Sequence, residues 1–203
     1  MSQSTAEDRA RAKALDYFKK RGTLAPIDEV RARVASALEA FEAVVEPVDA
    51  RTAARRPAEG EWSVHEVADH LLETYRPGLD ELWCLLAGRR PPEPPIPARL
   101  QSKAPLLRPW PWLVRELKTL HRDVLATLDG VAADFTTDAT APIVMVVNVE
   151  DEGRTWAYDW VEELDWKTYA VVSFRLHAID HMKQAQKALT AIGQESAAVS
   201  GRN

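Results

Sequence analysis

Between Asp165 and Ile192 the chain contains neither proline nor glycine, and most of its residues are good helix formers. A helix there, at about 100° per residue, aligns Trp166, Ala170, Phe174, Ala185, Ala188 and Ile192 on one apolar face. His177 and His181 lie one turn apart on that same face. A long apolar stripe requires other helices to cover it, which makes a bundle the natural architecture. Two imidazoles interrupting the stripe are compatible with a shared divalent cation, or with plain hydrogen-bonded burial. The pair alone does not choose between them.

The 203 residues suit one domain with an appended arm and are enough for a sizeable core. A net charge of −5 argues against a nucleic-acid surface, which normally carries a basic excess. The single cysteine, Cys84, excludes an internal disulfide framework and fits a reducing compartment. Its neighbours Trp83, Leu85 and Leu86 mark it as a small buried hydrophobe rather than a nucleophile. No apolar run approaches the ~18 residues of a membrane span, and Met1 to Gly22 lacks an apolar signal core. The expectation is a cytoplasmic protein without nucleic-acid or membrane partners.

Along the chain, Ser4 or Thr5 caps a first helix that Gly22 stops, an arm with few large apolar residues. Ile27, Val30, Val34, Leu38, Phe41 and Val45 repeat at helical spacing, closed by Pro47. After a polar link, Ser63 and Glu66 form a capping box, with Trp62 placed to staple against Val67. That helix runs to about Ala87, and Pro77 is expected to kink it near Thr74. Arg89 to Pro111 holds eight prolines and reads as a surface crossover. Trp112 to Leu128 gives a further amphipathic helix. The β-branched run from Ala141 to Val149, followed by Glu150-Asp151-Glu152-Gly153, predicts a short hairpin or a partly ordered loop.

Of the remaining histidines, His65 and His121 are expected to face solvent, and His70 falls at the edge of the apolar stripe of its helix. The stretch Glu61-Trp62-Ser63-Val64-His65-Glu66-Val67-Ala68-Asp69-His70-Leu71 resembles the opening of the second helix in the DinB-like superfamily. His177, His181 and Gln184 resemble that superfamily's closing H-x-x-x-H-x-x-Q signature on the last bundle helix, about a hundred residues later. The likeness spans roughly Pro26 to Ile192 and leaves the arm, the proline-rich crossover and the acidic hairpin unexplained.

The resemblance implies an all-α protein: a four-helix bundle over residues 26–203, an extra N-terminal helix over 1–25, and a short hairpin or loop before the last helix. It also implies one divalent metal, usually zinc or nickel, held by His70, His177 and His181. Three neutral imidazoles leave coordination positions open, as in catalytic rather than structural zinc. Asp180, Gln184 and Glu73 are the candidates to orient a ligand imidazole or a bound water.

Characterised members of the superfamily include transferases and isomerases that use low-molecular-weight thiols such as bacillithiol or mycothiol, and others are named as metal-dependent hydrolases. The first reading is therefore thiol transfer to a small electrophilic molecule, with Arg76, Arg115, Arg175 and Lys183 available to meet the thiol's carboxylates. The same site acting on water would be a hydrolase. A metal-stabilised bundle that binds a ligand or dimerises without turnover is the alternative, and a homodimer fits the resemblance. Seven tryptophans suit an aromatic pocket or interface.

Overall fold

The computed structural model describes residues 5–200. Its frame is four long helical segments: α2 (Ile27–Val45), α4 (Val64–Leu86), α5 (Trp110–Asp129), and a last run formed by α6 (Trp166–Ala170), a π-helical turn (Val171–Leu176) and α7 (His177–Ser200). Helix α2 packs on α5 and α7, and α4 packs on the same two, so α2 and α4 occupy opposite corners of a square bundle. The spacing read from the sequence forms the core. Val30, Val34, Leu38, Phe41 and Val45 of α2 are buried against Leu71, Leu82, Leu117 and Val124 of α4 and α5.

The ends of these helices follow local chemistry. Ser63 and Glu66 cap α4 reciprocally, and α4 continues without a break across Pro77. Thr5 caps α1 (Ala6–Phe18) through a second capping box with Asp8; the other candidate cap, Ser4, lies outside the described residues. Helix α1 does not stop at Gly22. It passes into a π-helical turn, Lys19–Thr23, in which Gly22 lies against α6. A Cβ on Gly22 would fall 2.4 Å from Thr168 Oγ1 and 2.6 Å from Thr168 Cα, so only glycine permits this approach. The polar link after α2 carries the short helix α3 (Ala50–Ala54).

The expectation of an all-α chain is corrected by two twelve-residue strands, β1 (Thr140–Asp151) and β2 (Arg154–Asp165), paired antiparallel along their whole length. The hairpin is long rather than short, and its two-residue turn suits the twist of its strands. Glu152 and Gly153 both have positive φ, 49° and 74°, the backbone of a type I′ turn whose twist matches the flanking strands. A lone two-stranded ribbon and a lone thirteen-residue helix are each marginal in water. Here they support one another. Arg11 of α1 binds Glu162 at 2.9 Å, and the Trp156 indole N–H donates to Glu7 at 3.1 Å. Met145 and Val149 are buried beneath.

Two smaller expectations are also corrected. His65 and His121 are both buried rather than solvent-facing: His65 lies beside the Trp110 ring, and His121 Nδ1 lies 2.7 Å from Glu42. Among the described residues neither Nε2, both buried, has a hydrogen-bond partner. Cys84 is half-buried, and Trp83 beside it is exposed, its indole bound to Thr127.

Candidate metal centre

Helix α4 and the last helix meet where their histidines lie. The ring centroids of His70, His177 and His181 are 4.9, 4.5 and 4.6 Å apart in pairs. One nitrogen from each lies within 4.8 Å of the other two, and His70 Nε2 is 2.9 Å from His177 Nε2. Imidazoles on a tetrahedral zinc, with Zn–N near 2.0–2.1 Å, hold their nitrogens about 3.3 Å apart. The three nitrogens thus lie within reach of one small cation, and the His70–His177 pair is already near that spacing.

The orientation of each ring is set from behind. His70 donates its Nδ1–H to the Leu100 carbonyl at 2.7 Å, and His181 donates its own to Gln184 Oε1 at 2.8 Å. His177 bonds to the main chain of Ser173, one turn earlier. An imidazole whose Nδ1 carries the proton offers a lone pair at Nε2, the form a metal requires. Burial pushes all three pKa values down. His177 falls well below the ordinary histidine range, by burial and then by its two neighbours, and His181 falls to about 4. His70 is lowered by burial, against smaller opposing pulls from Leu100 and Asp69. At neutral pH the cluster is three uncharged imidazoles, not three mutually repelling cations.

The π-helical turn immediately precedes His177. Its wider winding adds about one residue to the helical repeat, so a uniform wheel does not carry across it. Ala178, which the wheel leaves off the stripe, is fully buried, while His177 and His181 sit half-buried where the core opens.

They open onto a cavity of about 1270 Å³. Its floor includes His70, His177, His181, Asp180 and Gln184, and its walls come from α1, β1 and residues 96–99 of the proline-rich crossover. The three segments that the bundle resemblance left unexplained are thus the ones that enclose the space above the histidines. On another side of the cluster, outside the cavity lining, the Trp62 ring is tilted against His70 at 5.2 Å and stacked on His181 at 6.2 Å.

The crossover is more than a surface link. Buried Asp69 accepts the Ser102 N–H and hydroxyl, each at 2.8 Å, and pairs with Arg108 at 3.0 Å. Gln101 donates to the Glu66 carbonyl. These bonds lash residues 101–108 to α4 and hold Leu100 over His70. Sequence reasoning missed this strap because a proline-rich stretch shows no periodicity. The acidic residue directly before a candidate ligand was its one available signal.

The remaining candidates separate. Gln184 is bonded to the His181 imidazole, and Asp180 opens onto the cavity with its carboxyl pKa raised by burial, against a smaller pull from Lys183. Glu73 is bonded instead to Arg108 at 2.7 Å, away from the cavity. Arg76 meets Glu116 and Glu73, Arg175 bonds the Tyr17 hydroxyl, and Arg115 lines a shallow surface depression beside Trp112. Of the four cations read from the sequence, none lines the cavity. Arg9, Lys13 and Arg99 do.

A helical bundle that directs three neutral imidazoles from two helices toward one cavity defines a class of metal-binding scaffold. The family model of the DinB superfamily matches residues 33–162, and the chain belongs to that superfamily. The superfamily is a metal-binding one, and the three-histidine group is compatible with that property. The matched span contains His70, whereas His177 and His181 lie beyond it and join His70 in space. No curated protein and no solved structure matches the chain.

Proposed function

We propose that the protein is a metal-dependent enzyme acting on a small molecule, with His70, His177 and His181 as ligands of one divalent cation, zinc or nickel. The observation that carries this reading is the opening of a preoriented, neutral three-imidazole cluster onto a large cavity. A sealed cluster would have favoured a structural role. A cation held there would supply Lewis acidity, lowering the pKa of a thiol or water that binds it.

Thiol transfer to an electrophilic carbon is the preferred chemistry. What supports it is the resemblance to a superfamily whose characterised members use low-molecular-weight thiols, together with a space above the histidines large enough for a thiol and an electrophile. Asp180 faces the same space, its carboxyl pKa raised by burial, and is placed to take and return a proton. Gln184 holds the His181 tautomer, and the Leu100 carbonyl holds that of His70. Hydrolysis is the second reading, because the same floor would present an activated water if no thiol entered.

The test is consumption of a low-molecular-weight thiol in the presence of a panel of electrophiles. Turnover by the metal-loaded protein that is lost in Asp180→Asn and in the His177→Ala/His181→Ala variant supports thiol transfer. Product formation at the same rate without thiol favours the hydrolase. No turnover of either kind, in protein carrying a full equivalent of metal, returns the site to a binding role.

A further inference from the structure

Strand β1 lines the cavity along its edge rather than by one face. Residues 143–150 all contribute to the lining, although their side chains alternate between the face covered by α1 and the opposite one. Consecutive residues can do so only where the main chain itself is turned toward the space. The register identifies the groups it presents. Asp151 and Arg154 flank the two-residue turn and exchange both of their hydrogen bonds, so the odd-numbered residues of β1 bond to β2. Val144, Val146 and Asn148 then direct N–H and C=O away from β2, and among the described residues no hydrogen bond reaches those groups. Free edges are normally guarded by charge, proline or a bulge. Here the pairing is unbroken, and the seven residues from Ile143 to Val149 include no charge, proline or glycine. Strand β2 differs on both counts: it carries Asp159, Glu162 and Glu163, and none of its residues lines the cavity. Val146 and Asn148 are exposed, so the β1 edge is reachable from solvent.

We propose that this edge binds a short peptide in extended conformation, added to the hairpin as a third strand and running through the cavity. Main-chain donors and acceptors repeating at every second residue are the complement of a peptide's own. At about 3.4 Å per residue, the span from Val144 to Asn148 accommodates a partner of about five residues. A second copy of this chain is a poorer occupant, because its own β1 edge lies behind α1 and residues 96–99 in the same way. His177 and His181 lie on the floor of the same cavity, so a peptide bound there is the molecule presented to them. That role rests on the metal-dependent reading; the pairing does not.

The probe is the blocked pentapeptide acetyl-Thr-Val-Thr-Val-Thr-amide, titrated by calorimetry into metal-free protein, with amide hydrogen exchange followed in parallel. Saturating peptide should slow exchange at Val144, Val146 and Asn148 by about tenfold or more, while their odd-numbered neighbours, already bonded to β2, change little. The same peptide N-methylated at every residue should bind at least about tenfold more weakly. Val146→Pro removes one outward N–H, leaves the ladder to β2 intact, and should cost about tenfold or more in affinity. Val161→Pro makes the same change on the outer edge of β2 and should leave affinity within about twofold. Unfolding curves check that both variants keep the fold, and the exchange and N-methylation results decide the matter if one does not. No binding at about 1 mM peptide, equal binding of the N-methylated peptide, unslowed exchange at the three amides, or equal losses in the two proline variants overturns the proposal. Protection of those amides that appears without peptide and grows with protein concentration also overturns it, and gives the edge to a second copy. A chain that takes up one equivalent of metal yet binds no peptide loses this inference alone. One that binds peptide without taking up metal loses the metal-dependent reading alone.

Discussion

Replacing Asp69 by alanine should weaken metal binding although Asp69 touches none of the three histidines' ring nitrogens. Its carboxylate is fully buried and accepts two bonds from Ser102 while pairing with Arg108. Breaking a buried ion pair by removing one partner costs about 3–5 kcal/mol when the survivor has no other charge to meet. Arg108 keeps Glu73 at 2.7 Å, and its side chain is 26% exposed, so we place the loss nearer 2 kcal/mol. For a chain of this size that corresponds to a Tm lower by roughly 4–8 °C. The more telling effect is on the metal. Without the Asp69–Ser102 bonds, Leu100 is no longer pinned over His70, and His70 loses the acceptor that fixes its tautomer. Loss of such an outer partner typically weakens metal affinity about 10–100-fold. Competition with a chromophoric chelator measures this directly, and thermal unfolding measures the stability loss in parallel. An Asp69→Ala protein that is destabilised as expected yet binds metal within about twofold of the parent would refute the strap as a support of the site.

Other perturbations separate the remaining contributions. Gln184→Ala should lower metal affinity by about tenfold or more with little loss of stability, since it removes only the His181 partner; chelator competition again reads the effect, and an unchanged affinity counts against the assigned tautomer. Metal-free protein should lose stability as pH falls from about 6.5 through about 4. The folded pKa values of the three histidines lie below their unfolded ones, so the unfolded chain binds more protons there. His181 alone contributes on the order of 3 kcal/mol at the acid end. Urea midpoints across that range should show a slope that His177→Ala/His181→Ala reduces, and an identical slope in the variant contradicts the assignment. Gly22→Ala should cost about 1–3 kcal/mol, because its Cβ would strike the main chain of α6, and it should loosen α1 as read by hydrogen exchange. Normal protection of α1 would show that α6 yields instead.

The parts of this protein that were legible in sequence are those set by periodicity or by pairwise chemistry. The α2 repeat ends at Val45 in sequence and in structure, and the Ser63–Glu66 box opens α4 as a local motif should. The three histidines were legible as a group only by resemblance, since a wheel places His177 and His181 on one face but cannot bring α4 to them. Where the sequence misled, an environment set by tertiary contact was responsible. His121 sits in a polar run, Lys118 to Asp123, yet Glu42 of α2 gives it a buried partner. The hairpin looked weak because its inner face is covered by α1, a helix that itself carries few large apolar residues. The strap left no periodic trace at all, because its bonds to α4 come from Ser102, Gln101 and Arg108 one at a time.

The proposed activity depends on three neutral imidazoles from two helices holding one divalent cation. Elemental analysis of protein purified without immobilised nickel, compared with His177→Ala/His181→Ala of matched helical content, tests it most directly. About one equivalent of zinc or nickel is expected in the parent and none in the variant. A parent that remains without metal after incubation with either ion, while keeping its native fold, would contradict it.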